Sequence, residues 1–336
     1  MSPVLDPIDH ALLDGWQRGF PLVPRPFEVI GQQLDLAEEE VLDRLRRLSM
    51  AGAISRIGAT CRPNTAGAST LAAVAVPDLQ IDDVAATIGA EPGVNHSYLR
   101  ENKWNIWFVA TGPDRAHVDA TLDRIRRHTG LEVLDLPLLR PFNVNLGFSL
   151  DGTGRLPTTR KSVDAGVLLP EDRPIMQALS NGLPLVSRPY AELSAALERP
   201  ESEILSRIAA LSAAGILSRI GVIVRHRALG WRSNAMVVWE LPEEDIDRVG
   251  PALTAVRGVT LCYQRRPVLG VWPYTLYCMI HARSRAEAME VLDRACAEVG
   301  LSEVPHQVLF SIRCFKQTGA LVSSSNGGAS SSGAAA

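Results

Sequence analysis

The chain has 336 residues, a net charge of −3, and 46% apolar against 21% charged residues. That length can bury two substantial cores, the balance is that of a globular protein and not a disordered one, and the charge offers nucleic acid no bulk attraction. Cys61, Cys262, Cys278, Cys296 and Cys314 are scattered with no C-x-x-C pair, which argues against a disulfide framework or a cysteine-held zinc and fits a reducing cytoplasm.

Helical spacing opens the chain. Ile8, Leu12 and Leu13 mark one helix, Phe27 to Leu34 a second, and Glu38 to Met50 a third with Val41, Leu42, Leu45 and Leu48 on one stripe. Ala51-Gly52 stops it, and Ala53 to Ala59 reads as a wing strand. Three helices and a wing predict a winged helix-turn-helix over residues 6–63. The period then changes. Leu71 to Val76 is a strand, Ile81 to Gly89 an amphipathic helix, Val94 to Arg100 and Asn105 to Ala110 strands, Ala116 to His128 a helix, and Leu131 to Leu136 a final strand. That βαββαβ order predicts a ferredoxin-like domain over 70–150. Residues 151–173, rich in Gly, Thr and Pro, read as a linker.

The pattern then restarts. Ile175 to Leu179, Tyr190 to Leu197, Glu201 to Ala213 and a wing strand predict a second winged helix-turn-helix over 174–230. Ala235 to Leu241, Glu244 to Val256, Val259 to Arg265, Tyr274 to His281, Arg285 to Val299 and Val304 to Phe310 predict a second βαββαβ domain over 234–322. A Ser/Gly/Ala tail over 323–336 is expected to be disordered. No run approaches the roughly 20 apolar residues of a membrane span, and the N-terminus has no basic-then-apolar signal layout. A cytoplasmic protein without membrane contact is expected.

The restart is a duplication. Gly19 to Gly58 and Gly182 to Gly221, offset by 163, are identical at 19 of 40 positions without a gap, ending on Ser-Arg-Ile-Gly in both copies. A period this long repeats a whole module. The fold class is therefore α+β, a tandem duplication of a winged helix-turn-helix plus a ferredoxin-like βαββαβ domain, and it resembles the AsnC/Lrp regulators. A DNA-reading helix would meet phosphates with its N-terminal part. Here that part is Glu38-Glu39-Glu40 in one copy and Glu201-Ser202-Glu203 in the other, so no DNA binding is expected.

A second resemblance is narrower. His96-Ser97-Tyr98-Leu99-Arg100-Glu101 followed by Trp104-Asn105-Ile106-Trp107-Phe108, with Cys262-Tyr263-Gln264-Arg265, Trp272-Pro273-Tyr274 and Met279-Ile280-His281 in the second copy, is similar to the motifs of sirohaem decarboxylases in their fused two-copy form. The resemblance implies loss of CO₂ from the acetates on carbons 12 and 18 of sirohaem, giving 12,18-didecarboxysirohaem for haem d1 or another alternative haem. It implies no cofactor beyond the iron tetrapyrrole substrate, and homologous subunits or self-association as candidate partners. Two other readings stay open: a regulator under small-ligand control, and a tetrapyrrole binder or sensor without chemistry.

Strand alternation selects residues. Val94, His96, Tyr98 and Arg100 share one face, and Val259, Leu261, Tyr263 and Arg265 share its counterpart. Histidine has become leucine between the copies, so the two are inequivalent. The expected catalytic set is His96, Tyr98, Arg100 and His281, the last on the face of Thr275, Tyr277 and Met279. Histidine is suited to proton transfer near neutrality. Expected substrate contacts are Lys103, Arg265, Arg140 and Lys316 as carboxylate clamps, and Trp104, Trp107, Tyr263 and Tyr277 against the ring. Arg56 and Arg219, inside the repeated tetrapeptide, could reach rim carboxylates or fix the wing against its own domain, the second being the favoured expectation, and His226 is expected to be solvated. No metal-ligand set is expected.

Overall fold

The computed structural model describes residues 5–143 and 163–323. Most of the expected linker and all of the expected tail beyond Ser323 lie outside the described residues. Residues 163–172 form two short 3-10 turns that lead into the second copy. Among the described residues no helix is long and apolar enough to cross a membrane.

The first winged helix is built from α1 (Pro7–Gly15), α2 (Pro26–Leu34) and α3 (Glu38–Met50). Asp6 caps α1 by accepting from the Asp9 N–H while Asp9 accepts from the Asp6 N–H, which satisfies two otherwise orphaned donors. Proline at the first helical position starts both α1 and α2. The expected stripe of α3 is buried.

The wing strand forms, with a partner in the other copy. β1 (Ile54–Cys61) leads to the first βαββαβ unit: β2 (Ala68–Val74), α4 (Ile81–Ala90), β3 (Val94–Arg100), β4 (Ile106–Gly112), α5 (Arg115–Thr129) and β5 (Val133–Asn143). The second copy repeats α6 (Arg173–Asn181), α7 (Pro189–Leu197), α8 (Glu201–Ala213), β6 (Leu217–Val224), β7 (Ser233–Trp239), α9 (Glu243–Ala255), β8 (Val259–Arg265), β9 (Leu276–Ala282), α10 (Arg285–Val299) and β10 (His306–Gln317). β1 and β6 pair antiparallel with Gly58 opposite Gly221, and the two winged helices share one continuous core. A Cβ on Gly58 would lie 2.2 Å from the Leu179 carbonyl oxygen, and one on Gly221 2.3 Å from that of Trp16. These are corresponding residues of α6 and of the end of α1, so glycine is what lets each helix close on the paired wings.

The two βαββαβ units merge into a closed eight-stranded barrel in the order β10-β3-β4-β2-β5-β8-β9-β7. Two strands outrun their expected ends. β5 pairs with β2 through Val133–Pro137 and then with β8 through Leu138–Asn143. β10 pairs with β7 and then with β3. Their second halves cross to the other copy and abolish the edges that each sheet alone would expose. Helices cover the outside of each half, and the barrel interior has its own core, with Trp107, Trp272, Tyr277 and Met279 among its members.

Candidate active site

The motif strands β3 and β8 each carry a bulge. Register shifts between Val94 and His96 and between Val259 and Leu261 insert one extra residue, which flips the face on which the strand continues. Val94 and Val259 therefore pack under the helices and leave the face assigned to them by simple alternation. His96, Tyr98 and Arg100 remain together, as do Leu261, Tyr263 and Arg265.

Arg100 and Arg265 lie on these strands, Arg56 is the charged neighbour of His96 and Arg219 that of Arg56, and none of these buried or half-buried arginines forms a salt bridge among the described residues. Arg100 donates Nη1 to the Leu309 carbonyl at 3.0 Å and to Asn234 Oδ1 at 3.2 Å, and lies 5.5 Å from the Tyr98 ring. Arg265 donates Nη1 to the Leu136 carbonyl at 2.8 Å and lies 4.7 Å and 5.8 Å from the rings of Tyr263 and Tyr277. In both, Nε is buried with no hydrogen-bond partner. Arg56 and Arg219 project from the paired wings, again with Nε unmatched, and in Arg219 Nη1 as well. Burial draws Arg56, Arg100 and Arg219 down to about 10.

The contrast with the rest of the molecule is sharp. Arg44, Arg47, Arg115, Arg124 and Arg207 all sit on carboxylates. A guanidinium removed from water without an anion costs several kcal/mol, and its Nε–Nη2 edge is the one that takes a carboxylate through two parallel hydrogen bonds. An interior that keeps such edges open is complementary to a molecule bearing several carboxylates. The sequence pattern left Arg56 and Arg219 between fixing the wing and gripping carboxylates and favoured the first; their buried, unmatched Nε atoms favour the second.

The two histidines occupy different surroundings. The half-buried His96 stacks 6.4 Å from the Tyr98 ring, and burial, then the charge of Arg56, pushes its pKa down to about 4. The buried His281 meets Thr260 Oγ1 at 2.8 Å and Asn234 Nδ2 at 2.9 Å, and burial, then Arg100, pushes it likewise to about 4. Both are neutral at pH 7, unlike the near-neutral titration expected from sequence. His226, expected to be solvated, packs its ring 5.4 Å from that of His281.

The remaining expected residues divide. Tyr263 stacks on Tyr277 with centroids 6.2 Å apart, inside the arginine cluster. Trp104, Trp107 and Tyr277 are packed into the barrel core: Trp107 donates Nε1 to the Trp104 carbonyl, and Trp272 donates to the Tyr277 hydroxyl. All three are buried, Tyr277 with its ring 5.8 Å from the Arg265 guanidinium. Lys103 is exposed in the β3–β4 turn. Arg140 pairs with Asp247 on the outside, and Lys316 donates to the carbonyls of Gly89 and Glu91 at the end of α4. These three cations stand apart from the cluster. A cavity of about 540 Å³ opens between β1, α6 and α7. Arg56 lines it and is also the charged neighbour of His96. Among the described residues no three His, Cys, Asp or Glu side chains converge as a metal site.

Comparison with known proteins gives consistent matches. Residues 9–54 and 172–217 match the "Siroheme decarboxylase NirDL-like HTH domain" model, and residues 66–143 and 228–316 the "AsnC-like ligand binding domain" model. The chain is 58% identical over 318 residues to the "Siroheme decarboxylase NirDL subunit" of Paracoccus denitrificans, covering 95% of this chain and 98% of the relative. It is 49% identical over 146 residues to the "Siroheme decarboxylase NirD subunit" of Stutzerimonas stutzeri, 44% of this chain and 96% of that shorter protein. A crystal structure of a siroheme decarboxylase NirDL in complex with an iron-uroporphyrin III analogue superposes with a TM-score of 0.67 at 27% identity over 96% of both chains.

Proposed function

We propose that this chain, which belongs to the sirohaem decarboxylase family, removes CO₂ from the acetates on carbons 12 and 18 of sirohaem to give 12,18-didecarboxysirohaem, a precursor in the making of haem d1 or another alternative haem. The observation that carries the reading is the set of open arginine edges at Arg56, Arg100, Arg219 and Arg265. Sirohaem is a flat ring with eight rim carboxylates, and such a rim is the partner these edges lack.

The chemistry divides between ring and protein. Breaking the bond from methylene to carboxylate releases CO₂ and leaves an electron pair, which the conjugated macrocycle withdraws. A proton then converts the methylene to methyl. The chain binds, orients and supplies that proton. Arg100 and Arg265, on corresponding strands of the two copies, grip carboxylates that stay, and Arg56 and Arg219 grip others from the wing side. His96 is the acid. Carboxylates arriving beside Arg56 remove its repulsion and favour imidazolium, so His96 gains its proton as the substrate binds and holds it against the reacting carbon. Tyr98, stacked on His96, keeps that ring in place. No organic cofactor is required by this route.

The regulator reading has less support. On α3, Arg44 is held by Asp6, Asp9 and Glu40, Arg47 by Asp9, and Arg46 by Asp43 and the Leu185 carbonyl. The helix that would face phosphates thus has its arginines already engaged. As for partners, β5·β8 and β10·β3 pairing closes the barrel within one chain, so no second subunit is needed to complete it.

Incubating the purified protein with sirohaem under anaerobic, reducing conditions is expected to yield a product lighter by up to two CO₂. His96→Ala is expected to slow that loss by roughly 10²–10⁴-fold, the contribution of a positioned acid. Tight sirohaem binding with no change in mass would replace the enzyme with a carrier or sensor.

A further inference from the structure

The hydrogen bonds around His281 can be given directions without reference to hydrogens. Thr260 has one hydroxyl proton, and it donates to the Met279 carbonyl at 3.0 Å. Toward His281 Nδ1, at 2.8 Å, Thr260 can then only accept, so Nδ1 carries a proton. On the other side, Arg100 has donors only, so the oxygen of the Asn234 amide must face Arg100 Nη1. The amide NH₂ therefore faces His281 Nε2 at 2.9 Å and donates, so Nε2 presents a lone pair. The chain of bonds runs in one sense, from Arg100 to Asn234, Asn234 to His281, His281 to Thr260, and Thr260 to Met279.

That polarity resists a second proton. An Nε2–H would meet the NH₂ of Asn234, and turning the amide over would set NH₂ against the Arg100 guanidinium. Among the described residues, the charged and titratable groups named around the ring, Arg100 from β3 and His226 from the turn before β7, offer an extra proton no anion. The same arrangement is absent from the other copy. Ser69 and Thr111 oppose each other on β2 and β4 as Asn234 and His281 do on β7 and β9, and Thr111 Oγ1 donates to the Gly93 carbonyl and accepts from the Leu321 N–H. By contrast, no hydrogen bond from the protein engages the His96 ring among the described residues.

We propose that Asn234 is a positioning residue that locks His281 as the neutral Nδ1–H tautomer and, by holding Arg100 Nη1, aims the open Nε–Nη2 edge of that arginine at substrate. His281 is then an anchor for Arg100 and donates no proton; the assignment of the acid to His96 alone rests on the decarboxylase reading above. The two halves therefore act differently, one histidine moving a proton while the other holds a cation still.

Nitrogen-15 spectra of the histidine rings in the full-length protein without substrate test the lock independently of any activity, with His281→Gln assigning the signals. His281 is expected to keep one bare nitrogen, Nε2, from about pH 5 to 8, the range in which an ordinary histidine changes charge. An Nε2–H tautomer, or titration near the ordinary value, overturns the proposal. In Asn234→Asp the new carboxylate accepts from both neighbours, so His281 is expected to become protonated at both nitrogens at pH 7. The same carboxylate neutralises Arg100, so KM for sirohaem is expected to rise at least ~10-fold while kcat stays within ~3-fold, the pattern of lost binding with the acid intact. A collapse of kcat with KM unchanged would make His281 an acid and end the proposal. If the variant does not fold, the wild-type tautomer decides alone.

Discussion

Among the side chains of the site, arginine and histidine respond to burial in different ways. A guanidinium drawn down to about 10 is still charged at pH 7, so Arg56, Arg100 and Arg219 hold their charge through burial and wait for an anion. An imidazole drawn down to about 4 gives its charge up. This has a consequence for stability. The folded values of His96 and His281 lie below the ordinary 6.5 of an unfolded chain. Between pH 6.5 and 4 the unfolded state therefore binds protons that the folded state refuses, and stability falls as pH falls through that window; above 6.5 neither histidine contributes a slope. Chemical denaturation across that range is expected to show a shallower pH dependence for the His96→Gln, His281→Gln double variant than for the natural chain. Identical slopes would mean that the two rings are accessible to protons in the folded protein.

The elements that matter most are the bulged strands and the paired wings. One inserted residue in β3 and one in β8 separate a valine that packs under a helix from a His-x-Tyr-x-Arg or Leu-x-Tyr-x-Arg face. A strict two-residue period cannot express that, which is why alternation alone puts Val94 and Val259 on the wrong face. At the wings, the β1–β6 pair sits so close to α6 and to the end of α1 that a methyl group at Gly58 has no room. Gly58→Ala is expected to destabilise the protein by about 1–3 kcal/mol, the usual cost of overpacking. Gly89→Ala, on α4 where a new Cβ meets nothing within 4 Å, is expected to stabilise it by about 0.5–1 kcal/mol through helix propensity. Equal effects of the two in thermal or denaturant unfolding would contradict the close approach of helix and wing.

On the scale of the molecule, the copies behave as the two partners of a dimer joined covalently. Neither βαββαβ unit closes its own sheet, because the far halves of β5 and β10 pair with the opposite copy. Residues 5–143 and 163–323 produced as separate chains are expected to copurify as a one-to-one complex and to release CO₂ from sirohaem only when combined. A first half that stays monomeric and soluble by itself, with no affinity for the second, would contradict the barrel. The half-length Stutzerimonas stutzeri relative, which matches 44% of this chain, shows that a single copy exists as a protein in its own right.

The sequence alone determined the duplication, the helices with their stripes, the order βαββαβ and the placing of His96, Tyr98 and Arg100 on one strand face with Tyr263 and Arg265 on its counterpart. The elements and faces are written within a few residues, through period and motif spacing, and the duplication in the match of one stretch to another 163 positions further on. The tertiary structure alone decided which cations face the interior. Lys103, Arg140 and Lys316 look like clamps by charge, yet their elements end at the surface or beside a carbonyl or carboxylate. Arg56 and Arg219 read in sequence as either wing residues or carboxylate grips, and they are brought beside each other because β1 pairs with β6, Gly58 opposite Gly221. The tautomer of His281 likewise depends on Arg100 and Asn234, 134 positions apart. Pairing across such distances is set by which faces must be buried together, and no local window of the chain contains that information.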